Sequence, residues 1–193
     1  MSLKLIEPPA SEPITKEEAK LHCRVGTDDD DALIEALIIA AREYCEGFQR
    51  RAYITQAWEL WLDAFPGKRY IELPRPPLQS VDSIIYYASE DDEGTEFEDY
   101  FEDTKSEPGR IVLSEGVSWP SLTLRPANGV CITFTAGYES GEYDEAENVP
   151  QKVKQAILLL VGHWYENRES VTPTELKDIP RGVDALLWME RNF

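Results

Sequence analysis

The stretch TDDDDALIEALIIAAREYCEGF, residues 27–48, decides how the first part of the chain folds. After its aspartates, apolar residues recur with steps of three and one, and these residues are Leu33, Ile34, Leu37, Ile38, Ala41, Tyr44, Cys45 and Phe48. This spacing forms a broad stripe along one side of an α-helix and fits no strand period. The pattern therefore predicts a helix over residues 31–48.

Four aspartates stand where this helix begins, and they are Asp28, Asp29, Asp30 and Asp31. Carboxylates at a helix start accept hydrogen bonds from free backbone N–H groups and complement the positive end of the helix dipole. A metal site needs ligands that converge from several directions, which consecutive residues at a helix start do not readily supply. The sequence therefore predicts helix capping by one or two of these residues, with the others solvated.

Other helices are predicted on both sides of this stretch. Thr15 and Glu18 form a capping-box pattern that opens a short helix at residues 13–25. Towards the C-terminus, residues 149–168 and 182–191 show helical patterns. The middle turns of 149–168 are apolar nearly all round, so this helix needs neighbours on most of its sides.

The middle of the chain has a different pattern, rich in β-branched and aromatic residues. The predicted strands are residues 53–63, 81–88, 110–113 and 130–136. The predicted fold class is therefore α+β, a small helical bundle with two N-terminal and two C-terminal helices and a β-rich insertion between helices 2 and 3. Residues 1–52 and 139–193 are assigned to the helical core, and residues 53–138 to the insertion.

The charge of the chain is strongly acidic and unevenly distributed. The 193 residues carry 37 acids and 19 bases, a net charge of −18. Residues 89–107 hold ten acids and one lysine, a net charge of −9, and residues 139–147 hold five acids and no base. These two acidic runs therefore contribute −14 of the −18. Such an excess repels nucleic-acid phosphates and favours solubility.

Motifs for catalysis, cofactors or metals are not found in the sequence. His22 beside Cys23 is a weak candidate for nucleophilic catalysis, because adjacent helical residues point about 100° apart. The stretch SEDDEG, residues 89–94, fails the calcium-loop pattern at both ends. The longest apolar run, residues 156–161, is too short for a membrane span, and the N-terminus has no signal-peptide pattern. We therefore expect no enzyme activity, no cofactor, no metal and no membrane.

Several stretches, in this order and spacing, resemble the head–tail connector (adaptor) proteins of tailed bacteriophages and prophages. They are DDDDALIEALIIAAREYCEGFQRRAYITQAWEL, IELPRPPLQSVDSIIYY, EPGRIVL, WP, VCITFTAGY and VPQKVKQAILLLVGHWYENRE. The resemblance runs from about residue 12 to the C-terminus and is closest to the longer type, which carries a β insertion.

The resemblance implies a structural virion protein with no catalytic residues and no cofactor. Family members form a ring, usually of about a dozen subunits, beneath the portal protein at the head–tail junction. The ring joins the portal to tail-completion proteins and leaves an axial channel through which DNA passes without sequence-specific binding. Such a protein is made in the cytoplasm of the bacterial host.

Two groups of residues are predicted to serve this role. Acids that face the channel would avoid gripping DNA, and the candidates in the second acidic run are Glu139, Glu142, Asp144, Glu145 and Glu147. The C-terminal tail is a candidate contact with the portal or with a second subunit, through Trp188, Met189 and Phe193. The alternative, in which Leu186, Leu187 and Trp188 pack on the chain's own bundle, is equally compatible with the sequence.

Other functions remain open at this point. A DNA-mimic inhibitor would use its carboxylates to occupy a DNA-binding enzyme, although mimics usually spread their acids along a long surface. A hydrolase with a carboxylate pair would need a deep cleft that holds acids with raised pKa values. Another tail-completion or stopper protein is close to the connector interpretation and cannot be told from it by sequence.

Overall fold

The computed structural model describes residues 1–88, 93–139, 146–167 and 181–188. Its elements in chain order are β1 (Ser2–Glu7), α1 (Lys16–Cys23), α2 (Asp31–Gln49), β2 (Gln56–Leu62), β3 (Tyr70–Glu72), β4 (Leu78–Tyr86), β5 (Thr95–Glu96), β6 (Tyr100–Asp103), β7 (Arg110–Leu113), β8 (Val130–Ala136), α3 (Gln151–Glu166) and α4 (Arg181–Trp188). The α+β fold class is confirmed, with two helices before the strand-rich middle and two after it.

Two compact units make up the chain. The β unit consists of Met1–Ala10 and Thr55–Glu139. The helical unit consists of Ser11–Ile54 and the described residues after 145. Residues 1–10, which the sequence analysis assigned to the helical core, lie in the β unit because β1 pairs with β2. No strand was predicted there, since a strand exposed on most of its side chains has only a weak hydrophobic pattern.

The helical unit forms much as its local sequence predicts. Thr15 caps α1, where its side chain accepts a hydrogen bond from the backbone N–H of Glu18 and the Glu18 side chain bonds back to the Thr15 N–H. Helix α2 begins at Asp31 and ends at Gln49, within one residue of the prediction. Helix α3 contacts α1, α2 and α4, so much of its apolar surface is covered within the chain. Its core contacts come from Val153, Ala156, Ile157, Leu160 and Val161.

The β unit contains two antiparallel sheets. One sheet has five strands in the order β1-β2-β8-β4-β5, and the other has three strands in the order β3-β7-β6. Strand β8 is central in the larger sheet, and most of its residues are buried, which accounts for its nearly continuous apolar sequence VCITFTA. Strands β1 and β5 are the two edges of this sheet.

A single glycine controls the return from β4 to β5. Gly94 has a φ of +75°, in the left-handed region that favours glycine. A Cβ atom at this position would lie 2.6 Å from Cγ2 of Ile85. Glycine at this position lets the chain pass close to β4, and the pairing of β5 with β4 and the hydrogen bond from Phe97 N–H to the Ile84 carbonyl hold the segment there.

Candidate functional site

Two lysines of α1 contact the aspartates at the start of α2. Nζ of Lys20 lies 2.6 Å from Oδ1 of Asp28 and 2.6 Å from Oδ1 of Asp31. Nζ of Lys16 lies 2.8 Å from Oδ2 of Asp31 and 3.0 Å from Oε1 of Glu35. The hydrogen bond from Lys16, followed by the one from Lys20, lowers the pKa of Asp31. The cluster therefore ties α1 to α2 and favours the ionised form of Asp31.

The predicted role of the aspartates in capping needs correction. Asp30 is the N-cap residue of α2, but its side chain makes no capping hydrogen bond. Instead it accepts a hydrogen bond of 2.6 Å from the hydroxyl of Tyr165 in α3. Asp28 and Asp31 are ion-paired, and Asp29 is exposed. These residues do place negative charge at the positive end of α2, but ion pairs and an interhelical hydrogen bond replace the predicted cap.

A second charged cluster is buried in the middle of α2. Nε of Arg42 donates to Oε2 of Glu12 at 2.8 Å, and its Nη1 donates to Oε2 of Glu46 at 2.9 Å. The other carboxylate oxygen of Glu46 accepts the backbone N–H of Tyr53 at 2.8 Å. Burial raises the pKa of Glu12 despite the adjacent Arg42 guanidinium. This network ties the segments before and after α2, at Glu12 and Tyr53, to the helix, so its role is structural.

The predicted C-terminal contact residues are only partly visible. Met189 and Phe193 lie outside the described residues. Trp188 is 56% exposed, and its ring centroid lies 6.4 Å from that of Phe48 in α2. Leu187, by contrast, is fully buried, and its backbone carbonyl accepts a hydrogen bond of 2.7 Å from Nε2 of Gln49. The end of α4 is therefore attached to the chain's own bundle while much of the Trp188 ring remains accessible.

The predicted acids of residues 139–147 are also only partly described. Glu139 and Glu147 are exposed. Glu142, Asp144 and Glu145 lie outside the described residues. Which surface these five acids face remains a prediction.

The first acidic run places three exposed carboxylates beside an edge of the larger sheet. Glu96 ends β5, and Glu98 and Asp99 follow it, all with exposed side chains. Later in the same run, Asp103 accepts hydrogen bonds from Ser106 and Arg110, and these lower the pKa of Asp103 to about 2. The acids of this run therefore differ in their surroundings. Asp103 is paired within its loop, whereas Glu96, Glu98 and Asp99 face solvent.

A pocket lined by cations and an indole lies at the opposite edge, beside β1. Its volume is about 320 Å³, and the residues that line it are Ser2, Lys4, Trp61, Arg125 and Asn128. The Arg125 guanidinium carbon lies 4.0 Å from the centroid of the Tyr87 ring, and its Nε donates to the backbone carbonyl of Asn128 at 2.8 Å. The sequence alone does not predict this cationic pocket, because Lys4 and Arg125 are far apart in the chain and come together only when β1 pairs with β2 and Arg125 lies over Trp61 of β2.

The thiols and the metal-ligating groups give no support for catalysis. Burial raises the pKa of Cys45 to about 12 and that of Cys131 to about 11. Burial, reinforced by the charge of Glu166, also raises the pKa of Cys23, so this thiol is not activated by its neighbour His22. Across residues 1–88, 93–139, 146–167 and 181–188, no group of His, Cys, Asp and Glu side chains could hold a metal ion. In the same ranges, no helix has the length and apolar composition that spanning a membrane requires.

Comparisons with known proteins identify relatives of the whole chain. The family model described as head completion protein matches residues 12–192. A chain from the neck of an empty gene transfer agent (GTA) particle, with C6 symmetry, superposes with a TM-score of 0.80 at 24% identity. The virion of a native GTA particle contains a chain with a TM-score of 0.78 at 23% identity.

A third solved structure, the neck of a native GTA particle with C12 symmetry, gives a TM-score of 0.74 at 24% identity. Each of these alignments covers 100% of this chain and 96% of the other chain. At this level of identity the solved structures establish a shared fold. No curated protein matches the sequence.

Proposed function

The chain belongs to the head completion protein family, and on that premise we propose that it is a structural protein of the neck of a phage-like particle, at the junction of head and tail. Two observations together carry the proposal: the family model matches residues 12–192, and a chain from a GTA neck shares the fold over the whole length of this chain. This role requires surfaces for assembly and requires no catalytic group. The raised pKa values of Cys45 and Cys131, which keep these thiols protonated, are consistent with such a role.

In this proposal, copies of the chain form a ring that leaves a channel for DNA and joins the portal protein to tail-completion proteins. The similar neck structures have C6 and C12 symmetry, and closed rotational symmetry is what a ring requires. A ring of about a dozen copies is therefore our working assembly. The charge of −18 per copy makes retention of DNA in the channel unfavourable.

The tail of the chain is proposed to contact the portal protein or the next copy. The exposed part of Trp188 is available for this contact, while Phe48 and the Gln49 hydrogen bond hold the end of α4 in place. Met189 and Phe193 are the other predicted contact residues of this tail. Large aromatic and Met side chains are enriched at the centre of protein interfaces, which supports this choice.

Native mass spectrometry of the purified chain over a range of concentrations, with electron microscopy of the assembled species, tests the proposal. We expect closed rings, formed either by the chain alone or on addition of its portal protein. A chain that ends at Leu187 should retain its helical circular dichroism signal and lose assembly or portal binding. A monomer under both conditions would contradict the proposal, and tight, salt-sensitive binding of that monomer to a basic nuclease would favour a DNA mimic.

A further inference from the structure

The pocket beside β1 presents cations that lack acidic partners. Lys4 and Arg125 form no ion pair within 4.0 Å in the described part of the chain. Glu59, which lies opposite Lys4 in the β1–β2 ladder, instead accepts a hydrogen bond of 2.9 Å from Nε1 of Trp61. In a chain with 37 acids and 19 bases, two adjacent cations without a carboxylate partner are unexpected. The pocket is therefore suited to an anion that comes from outside the molecule.

The opposite edge of the same sheet presents the complementary charge. Glu96, Glu98 and Asp99 are exposed, and within the described ranges their carboxylates form no ion pair. The strand before them, β5, is only two residues long, so it leaves this edge open. The sheet thus has a cationic site at the β1 edge and an anionic segment at the β5 edge.

The two sites also lie on the same face of the sheet. Ser2 of the pocket is opposite Trp61, which is opposite Cys131 in β8. Cys131 is in turn opposite Ile85 of β4, and Ile85 is opposite Glu96. Residues directly opposite each other in a ladder point to the same face. One row of side chains therefore runs from the pocket to the acidic segment.

We infer that the pocket formed by Lys4 and Arg125 binds the acidic segment Glu96–Asp99 of a second copy of this chain. The inference rests on the proposed ring, and it names the surface through which neighbouring copies meet. Different patches at opposite edges of one sheet make a head-to-tail contact, which does not stop at a dimer and forms a ring when the rotation between copies closes. Complementary charge at such a contact fixes the orientation of the two copies and suppresses wrong contacts.

The surrounding surface supports a protein occupant over nucleic acid. Leu5 and Ile6 of β1 are 40% and 39% exposed, so apolar side chains lie on the same edge strand as Lys4. Among the described residues, the pocket contains only two cations, and one of them, Arg125, is stacked on Tyr87. Two cations do not offset the repulsion between nucleic-acid phosphates and a molecule with a net charge of −18. The carboxylate segment of a second copy matches the charge of the pocket, and Phe101, which is 67% exposed and follows that segment, matches the apolar rim.

A charge-exchange experiment tests the inference. One variant carries Lys4→Glu and Arg125→Glu, and the other carries Glu96→Lys and Glu98→Lys. Each variant alone should need at least about a tenfold higher concentration than the wild type to form rings, because like charges then meet at every contact. A 1:1 mixture should form rings near the wild-type concentration, since alternating copies restore opposite charges at every contact.

Matched controls separate this surface from general electrostatics. Lys68→Glu with Lys105→Glu, and Glu72→Lys with Glu115→Lys, change the net charge equally at exposed positions outside the two sites. These controls should assemble like the wild type. Because Arg125→Glu removes the stacking on Tyr87, Lys4→Glu paired with Glu96→Lys repeats the exchange without that risk, and thermal unfolding verifies the fold of each variant.

The possible outcomes distinguish the surface from the ring itself. If the wild type forms rings and both exchange variants do so at the same concentration, the inferred surface is wrong and the proposed function stands. If each variant alone fails to form rings and the 1:1 mixture also forms none, the pairing of these two sites is wrong. If the wild-type pocket retains duplex DNA in a gel shift and Lys4→Glu abolishes that binding, the occupant is a phosphate and the inference is overturned.

Discussion

At the scale of single residues, Arg42 is the charged side chain on which the helical unit depends most. It is 7% exposed at its side chain and bridges Glu12 and Glu46, which lie on different segments. Removing one partner of a buried ion pair leaves the other charge without compensation. The pairs of Lys16 and Lys20, in contrast, are partly open to solvent, which screens them, so they contribute less stability.

We therefore predict that Arg42→Met lowers the free energy of unfolding by about 3 kcal/mol, because Glu12 and Glu46 both lose the buried guanidinium that donates to them. Urea unfolding followed by circular dichroism measures this change. The double variant Arg42→Met with Glu46→Gln should recover part of the loss. As a matched control, Lys16→Met should cost less than about 1 kcal/mol, and equal losses for Arg42→Met and Lys16→Met would contradict the assignment.

Residues also show why sequence reasoning succeeded in some places and failed in others. Thr15 and Glu18 are three positions apart, so their capping box is a local feature that the sequence predicts fully. The role of Asp28–Asp31 depends on Lys16, Lys20 and Tyr165, which approach only after the helices pack. Lys4 and Arg125 likewise become neighbours only through the pairing of β1 with β2. Local patterns were predictable and contacts between distant segments were not.

At the scale of elements, the last described helix is held by a side chain of another helix. The final carbonyl groups of a helix have no partner within that helix. Nε2 of Gln49 in α2 satisfies the carbonyl of Leu187 in α4, and Oε1 of Gln49 accepts the hydroxyl of Tyr53 at 2.6 Å. Val183 and Leu187 are buried beneath this bond. Gln49 thus couples the position of α4 to the end of α2.

We expect Gln49→Ala to increase hydrogen exchange in α4 more than in α3 and to cost about 2 kcal/mol of stability, since two buried hydrogen bonds are lost. Hydrogen–deuterium exchange with mass spectrometry resolves the two helices. Gly47→Ala, on the exposed side of the same turn with nothing within 4 Å of a Cβ, serves as the control; it should stabilise α2 somewhat, because it removes a glycine from a helix, and should not raise exchange in α4 relative to α3. Uniform exchange changes in α3 and α4 would show that Gln49 does not act on α4 specifically.

At the scale of the whole molecule, the proposed ring raises the question of why a protein that would enclose a DNA channel carries so much negative charge. A cationic channel lining would release counterions from DNA and hold it, which opposes passage. Acids at the lining have the reverse effect, and the run at residues 139–147 concentrates five of them without a base. We propose that this run faces the channel of the ring, and this placement predicts a specific change in DNA retention.

Neutralising that run should make assembled rings retain DNA without preventing assembly. The variant changes Glu139, Glu142, Glu145 and Glu147 to Gln and Asp144 to Asn. Because each copy then repels phosphates less, retention of linear duplex DNA by purified rings should rise at low salt and fall again as salt is added. The control neutralises five scattered acids by Gln substitution, at Glu7, Glu17, Glu72, Glu115 and Glu166. If the control retains as much DNA as the variant, total charge and not position controls retention, and the run does not line the channel.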